Sequence, residues 1–336
     1  MCRRRRTGFT LVEMLIVMAI ITLISSMLVV MLAGAHQDSN KLRTAAQVRR
    51  IDSLIQEQWE ELQYKPIRLL PARLTFLNLP ANANNLQLAR GMRLQGIREL
   101  YRMELPDRIQ DIANDPAFIE PSPSFLNYRL KVLQTYAAIS SDPNVVFGTA
   151  PAFNNGLWTR AHEGAECLFL ILSTMRDEDG DMLRFFNGVN MGDTNGDGIV
   201  EWGGTELGDV DGDGMPEILD QWGQPIEFLR WAPGYGSPLQ TQDPTTSPDP
   251  LDPYKIDARW TTPDNGLQPY LLMPLIFSAG PDSEYGVAFQ HDNYQLNDPY
   301  AWDSTNTYLI GTRINISTLQ PDNRAADNID NHWDYR

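Results

Sequence analysis

Thr7-Gly8-Phe9-Thr10-Leu11-Val12-Glu13-Met14-Leu15 stands between four arginines, Arg3 to Arg6, and an apolar run that lasts from Met14 to Ala33. Those 20 residues are interrupted only by Thr22, Ser25 and Ser26. They are about as long as a helix needs to be to cross roughly 30 Å of hydrocarbon. The basic residues ahead of the run assign its N-terminal side to the cytoplasm. A secretory signal would carry its small-residue cleavage site after the apolar core. Here the one suitable residue, Gly8, precedes the core, so cleavage would leave the hydrophobic segment in the mature chain. Glu13 sits at the head of this segment, where an ionised carboxylate is costly without a partner. One reading has it reach the headgroups; the other pairs it with a buried cation.

Working outward, the helical pattern outlasts the membrane. Leu42, Ala45, Val48, Ile51, Ile55, Trp59 and Leu62 recur at spacings of three and four with charges between them, and Pro66 ends the run. A helix from Phe9 to Lys65 would be on the order of 85 Å long. Its first half suits a membrane or filament core, and its second half suits packing against a globular domain.

Gly8-Phe9-Thr10-Leu11-Val12-Glu13 resembles the prepilin peptidase site of type IV pilins and type II secretion pseudopilins. The resemblance implies cleavage between Gly8 and Phe9 and methylation of the new N-terminus. It also implies that Glu13 pairs with the N-terminus of a neighbouring subunit during assembly. The implied partners are a prepilin peptidase, other pilin or pseudopilin subunits and an inner-membrane assembly platform. The implied location is a single pass through a bacterial inner membrane, N-terminus cytoplasmic, with the head periplasmic or extracellular in a filament. The organisation expected is a leader at 1–8, a transmembrane assembly helix at 9–33, its amphipathic continuation at 34–65 and a head at 66–336.

The chain has 336 residues and a formal net charge of -16. Loss of the leader arginines takes 27 basic residues to 23 against 43 acidic ones. Such a surface repels phosphates, so no nucleic-acid partner is expected. Of the two cysteines, Cys2 leaves with the leader, and Cys167 lies in the apolar run Cys167-Leu168-Phe169-Leu170-Ile171-Leu172 as a buried thiol. The mature chain therefore has no intrachain disulfide, and an exported head needs another staple.

In the head, helices are expected over Leu86–Asp115, Ser122–Ser141 and Ala161–Met175, with prolines between them. Strands are expected over Pro225–Ala232, Tyr270–Ser278 and Thr307–Ile316, and a Pro-rich exposed loop over 236–266. Helices first and strands later give an α+β head with a small antiparallel sheet, pilin-like in outline.

The staple is suggested by three acidic clusters within 177–220. The third is the fullest, with Asp209, Asp211 and Asp213 at positions one, three and five, and Gly214 at six. The Met215 carbonyl follows at seven, Glu217 at nine and Asp220 at twelve. Carboxylates at alternate positions converge on one ion and glycine allows the sharp turn, as in an EF-hand-type calcium loop. The second cluster offers Asp193, Asn195, Asp197, the Ile199 carbonyl and Glu201 but has Gly204 at twelve, with Glu206 as a substitute ligand. The first, Asp177 to Asp181, lacks glycine at six. The bland alternative is a set of solvated acidic loops. Calcium is favoured by two near-complete registers in tandem, and over magnesium because magnesium keeps its waters.

Asp220-Gln221-Trp222-Gly223-Gln224-Pro225 resembles the Asp-x-Trp-Gly-x-Pro signature of major type II secretion pseudopilins. Ser278-Ala279-Gly280-Pro281-Asp282 is similar to their Ser-x-Gly-x-Asp loop, and that likeness implies Ser278 and Asp282 as ligands of a further calcium. The chain is about twice the size of such proteins. No nucleophile elbow, P-loop, dinucleotide fingerprint or paired zinc histidines occur, so an enzyme is not expected. The expected function is a structural subunit of a pseudopilus or pilus-like filament for type II secretion, with a calcium-stabilised head. The alternative is a surface-displayed pilin acting as an adhesin, for which Trp231, Trp260 and Trp302 would serve as exposed aromatics.

Overall fold

Leu11 to Tyr64 form one unbroken helix, α1, of 54 residues, about 80 Å long. The computed structural model describes residues 11–82, 85–136, 142, 157–177, 180–186, 188–192, 194, 196, 201–289, 297–302, 307–314 and 327–333. The first half of α1 is bare: Leu11 is 82% and Leu32 72% exposed, and none of its most apolar window packs against the head. The second half buries Val48, Ile51, Ile55, Trp59 and Leu62. The expected stripe is corrected at its start, where Leu42 is 73% exposed and Asn40, Thr44 and Gln47 are buried in its place. These polar residues face backbone groups that need donors and acceptors, so hydrophobic periodicity missed the seam.

The head begins with short helix α2 (Pro71–Leu77) and then α3 (Leu86–Glu104). The Asn85 side chain caps α3 by accepting from the Leu88 N–H at 3.0 Å. The single helix expected to Asp115 is broken at Leu105 and Pro106 and restarts as α4 (Ile109–Ala113). Ser122 caps α5 (Pro123–Thr135), whose first residue is the proline suited to that place. Residues 137–141 of the expected helix lie outside the described set. The apolar run containing Cys167 forms α6 (Glu163–Thr174), buried almost throughout.

Three antiparallel hairpins follow: β1 (Arg176–Asp177) with β2 (Gly180–Asp181), β3 (Gly188–Gly192) with β4 (Glu201–Gly204), and β5 (Leu207–Gly208) with β6 (Glu217–Ile218). The third acidic cluster therefore spans the turn of the β5–β6 hairpin. A final sheet has the order β7-β8-β9, with β7 at Glu227–Leu229, β8 at Leu275–Ser278 and β9 at Ile329–Asp330. Phe228 pairs with Ile276 and Leu229 with Leu275. Phe228 and Ile276 join the main core with α1 and α6, whereas Leu229, Leu275 and Phe277 face a second cluster with Val287 and Ile310. The sheet divides two apolar layers, as a period of two requires.

Two expectations fail here. No strand forms within the described part of Thr307–Ile316, where Leu309 and Arg313 make only isolated bridges; the third strand comes from Ile329–Asp330. Asn331 lies just beyond it and donates to Asp52 of α1 at 2.7 Å while accepting from the Ile276 N–H at 2.9 Å. The Pro-rich segment is also no free loop. Arg98 of α3, itself buried, reaches Asp257 at 2.8 Å and Asp249 at 3.6 Å, which pins 236–266 to the head.

Candidate assembly and metal sites

Glu13 lies in the first turn of α1 and is exposed, at the helix end whose dipole favours a negative charge. Around it, Leu11, Val12, Met14 and Leu15 are all more than half exposed. The helix thus carries a carboxylate inside a continuous apolar surface that no other described residue covers. Gly8 and Phe9 lie outside the described residues.

The third acidic loop spans the turn between β5 and β6. Asp209 organises it: Oδ1 accepts from the N–H of Gly212 at 2.8 Å and of Asp213 at 3.1 Å, and Oδ2 from that of Gly214 at 2.9 Å. Gly212 and Gly214 hold φ of 75° and 94°, where a side chain would be strained. Asp213 accepts from the Met215 N–H at 2.9 Å and from the Thr159 N–H. The Thr159 hydroxyl donates to Asp211. Glu217 accepts from the Val210 N–H at 3.0 Å. Oxygens of Asp209, Asp211 and Asp213 lie within 4.8 Å of one another, and so do oxygens of Glu166, Asp211 and Glu217.

That second group contains a residue the sequence reading missed. Glu166 lies on α6, fully buried among apolar neighbours, and accepts from the Trp158 indole N–H at 2.5 Å. Its signal was present in the sequence as the acid between Ala165 and Cys167, directly against the apolar run of α6, which begins with a second buried acid, Glu163.

Burial dominates the electrostatics. Desolvation, reinforced by Asp211, Asp209 and Asp213, pushes Glu217 up to about 9. The same causes push Asp213 up to about 7, and hold Glu166 well above the usual carboxylate range. No arginine or lysine pairs with these carboxylates among the described residues. The arrangement is a pocket of hard oxygens that can bind a metal ion.

Asp220, expected at the end of this loop, is turned elsewhere. Its Oδ1 accepts from the Trp222 and Gln224 N–H groups at 2.8 and 2.9 Å, and its Oδ2 accepts from the Ser278 hydroxyl at 2.6 Å. Two segments far apart in sequence thus meet, Asp220–Pro225 and Ser278–Asp282. The Tyr285 hydroxyl adds a bond to the Pro225 carbonyl at 2.6 Å. The joint then docks on α1, where Gln221 N–H donates to Thr44 at 3.2 Å and the Trp222 indole to Gln37 at 2.9 Å. Asp282 itself is exposed and accepts from the Glu284 N–H at 2.9 Å.

Asp193, Asn195, Asp197 and Ile199 lie outside the described residues, as does the side chain of Glu201, which opens β4. Trp231 is corrected from exposed to buried, at 4%, and Trp260 and Trp302 are half-buried. Their indoles serve internal contacts: Trp260 donates to Asp252 and Trp302 to Asp264, each at 3.0 Å.

Residues 3–29 match the model of the prokaryotic N-terminal methylation motif. No curated protein and no solved structure matches the chain.

Proposed function

We propose that this chain is a structural subunit of a pseudopilus or type IV pilus-like filament, serving type II protein secretion, with a head stabilised by calcium. It carries the prepilin-type signal of type IV pilins and pseudopilins, a motif whose family is structural rather than enzymatic. One observation carries the assembly reading: the helix behind that signal is bare on every side from Leu11 to Leu32 and runs without a break into the head. A lone apolar helix of this length is satisfied by lipid in the membrane and by neighbouring subunits in a filament. The motif further implies processing by a prepilin peptidase and assembly with other subunits, and the helix gives a single-pass membrane anchor.

The secretion class is supported by the joint between Asp220–Pro225 and Ser278–Asp282, which are the two segments that resemble major pseudopilins. Calcium is supported by the oxygens of Asp209, Asp211, Asp213 and Glu217 at the β5–β6 tip. Bound there, the ion would neutralise a loop that leads directly into the turn docked on α1.

The test of assembly is Glu13→Ala. The variant should insert in the membrane and be cleaved after Gly8, with an intact mass beginning at methylated Phe9, yet yield no sheared filaments. Filament recovery equal to wild type overturns the reading.

A further inference from the structure

Three carboxylates converge at the β5–β6 tip in a way the loop sequence alone does not disclose. Glu166, Asp211 and Glu217 each have one oxygen tied to a donor: the Trp158 indole, the Thr159 hydroxyl and the Val210 N–H respectively. Each also has one buried oxygen that meets no hydrogen-bond donor: Oε1 of Glu166, Oδ1 of Asp211 and Oε1 of Glu217. Glu166 and Glu217 are fully buried. Three side chains fixed through one oxygen and bare at the other form a common arrangement of metal ligands, with donors orienting the carboxylates from behind. One carboxylate oxygen from each of the three lies within 4.8 Å of those of the other two. Carboxylate oxygens gathered this closely can share one hard cation.

We infer that Glu166 of α6 is a direct ligand of the loop's cation, which makes the site a clamp between the helix and the β5–β6 hairpin instead of a self-contained loop. The inference rests on the calcium reading of that loop. It replaces the twelfth-position residue of the EF-type register, Asp220, with a carboxylate 54 residues upstream of it: Asp220 is spent in the Trp222–Gln224 turn and on Ser278. It also gives the buried acid in α6 a reason to be there. A helix that packs against β6 and β7 has no structural need for a carboxylate at Glu166, whereas an ion held between helix and hairpin does. Trp158 and Thr159 lie just ahead of α6 and orient Glu166 and Asp211, so the segment leading into the helix belongs to the same clamp.

The experiment uses the full chain in detergent micelles. Calcium titration by calorimetry is compared for wild type, Glu166→Gln and Asp220→Asn, with thermal melts of each in calcium and in chelator. Glutamine keeps the size of Glu166 and its acceptor for Trp158 but removes the charge. The expected result is at least a tenfold loss of calcium affinity in Glu166→Gln and less than a threefold change in Asp220→Asn. In chelator, Glu166→Gln should melt near wild type, because glutamine keeps the acceptor for Trp158, and it should gain less than wild type from calcium. Wild-type affinity in Glu166→Gln overturns this inference and leaves the loop reading standing. A Glu166→Gln protein that melts below wild type in chelator while keeping its calcium gain also overturns it, because Glu166 would then be an ordinary structural acid. Wild type that binds no calcium overturns the loop reading and the clamp together.

Discussion

Two groups of buried carboxylates lie in this head, and they are compensated in opposite ways. Asp107 and Asp111, beside α4, share the fully buried guanidinium of Arg230, at 3.2 Å and 2.7 Å. Arg230 also donates through its backbone N–H to Asp107 at 3.0 Å and through Nη1 to the Leu105 carbonyl at 2.8 Å. Its charge holds Asp107 below the ordinary range in spite of burial. At the β5–β6 tip, Glu166, Asp211, Asp213 and Glu217 meet backbone N–H groups, a hydroxyl and an indole, but no guanidinium or ammonium among the described residues. Burial carries Glu217 up to about 9. The first cluster carries its countercharge in the chain, and the second is a set of oxygens that can take one from a metal ion. Cys167 is a free, buried thiol, so the head relies on other staples: the Arg230 cluster is one that is always closed, and under the calcium reading the tip would be a second that closes with an ion.

The comparison breaks most sharply at Arg230. Arg230→Met removes the cation that Asp107 and Asp111 share, leaving Asp107 only the longer contact to Arg108 at 3.8 Å, which costs about 3–5 kcal/mol. The loss should be equal in calcium and in chelator, because no ion replaces the guanidinium there. Denaturant unfolding of the detergent-solubilised protein measures it, and a loss under about 1 kcal/mol would show that the cluster relaxes or protonates instead.

At the acidic tip the same logic runs through solution conditions. A ligand that binds only the folded state at 100 times its dissociation constant adds about 2.7 kcal/mol, or roughly 5 °C or more in melting temperature for a domain of this size. Calcium should supply this gain and magnesium little of it. Asp211→Ala with Asp213→Ala should abolish the gain, and Asp177→Ala should leave it intact. Identical melts in calcium, magnesium and chelator would leave the tip as a protonated acidic cluster.

The acid cluster also predicts a pH slope. Glu217 and Asp213, at about 9 and about 7 in the folded state, lie above the unfolded carboxylate values near 4. The folded chain holds protons that the unfolded chain releases. That stability is full below the unfolded values and is lost as pH rises through the folded ones. In chelator the melting temperature should therefore fall by a few degrees between pH 5.5 and 8.5, and calcium should flatten the slope because it stabilises the ionised forms. A flat profile in chelator would mean that the cluster opens to water.

How much of this was legible in the sequence follows from how local each signal is. The methylation-type motif, the apolar span and the helix to Tyr64 were readable because motif, length and periodicity are properties of one segment. That Asp209, Asp211, Asp213 and Glu217 gather at one hairpin turn was readable because it follows from their spacing. Glu166 was not assigned, since its role depends on where α6 lands on a hairpin 40 or more residues away in the chain. The same holds for Asn40, Thr44 and Gln47, which α1 buries because the Asp220–Pro225 turn presents backbone groups to them. β9 was missed because Asp330, Asn331 and His332 are polar, yet each is buried with a partner: Asp330 takes the Tyr235 hydroxyl and His332 the Ser237 hydroxyl, both at 2.8 Å.

The smallest expected effect separates the ion from the joint beside it. Ser278 donates its hydroxyl to Asp220 at 2.6 Å, and its oxygen accepts from the Gly280 N–H at 3.1 Å. Resemblance to the Ser-x-Gly-x-Asp loop assigns Ser278 and Asp282 to a further calcium, whereas these bonds occupy Ser278 in holding the Trp222–Pro225 turn. The two roles differ in what calcium does to a variant. If Ser278 is a ligand, Ser278→Ala loses stability only when calcium is present, and Asp282→Ala does the same. If Ser278 serves the joint, Ser278→Ala leaves an oxygen of Asp220 short of a donor and costs about 1 kcal/mol, equally in calcium and chelator. Asp282, exposed with one bond to its own turn, should then change stability by less than about 0.5 kcal/mol. The geometry favours the second outcome. Parallel melts of the two variants in both conditions decide it, and a calcium-dependent loss in either one would restore a second ion beside the joint.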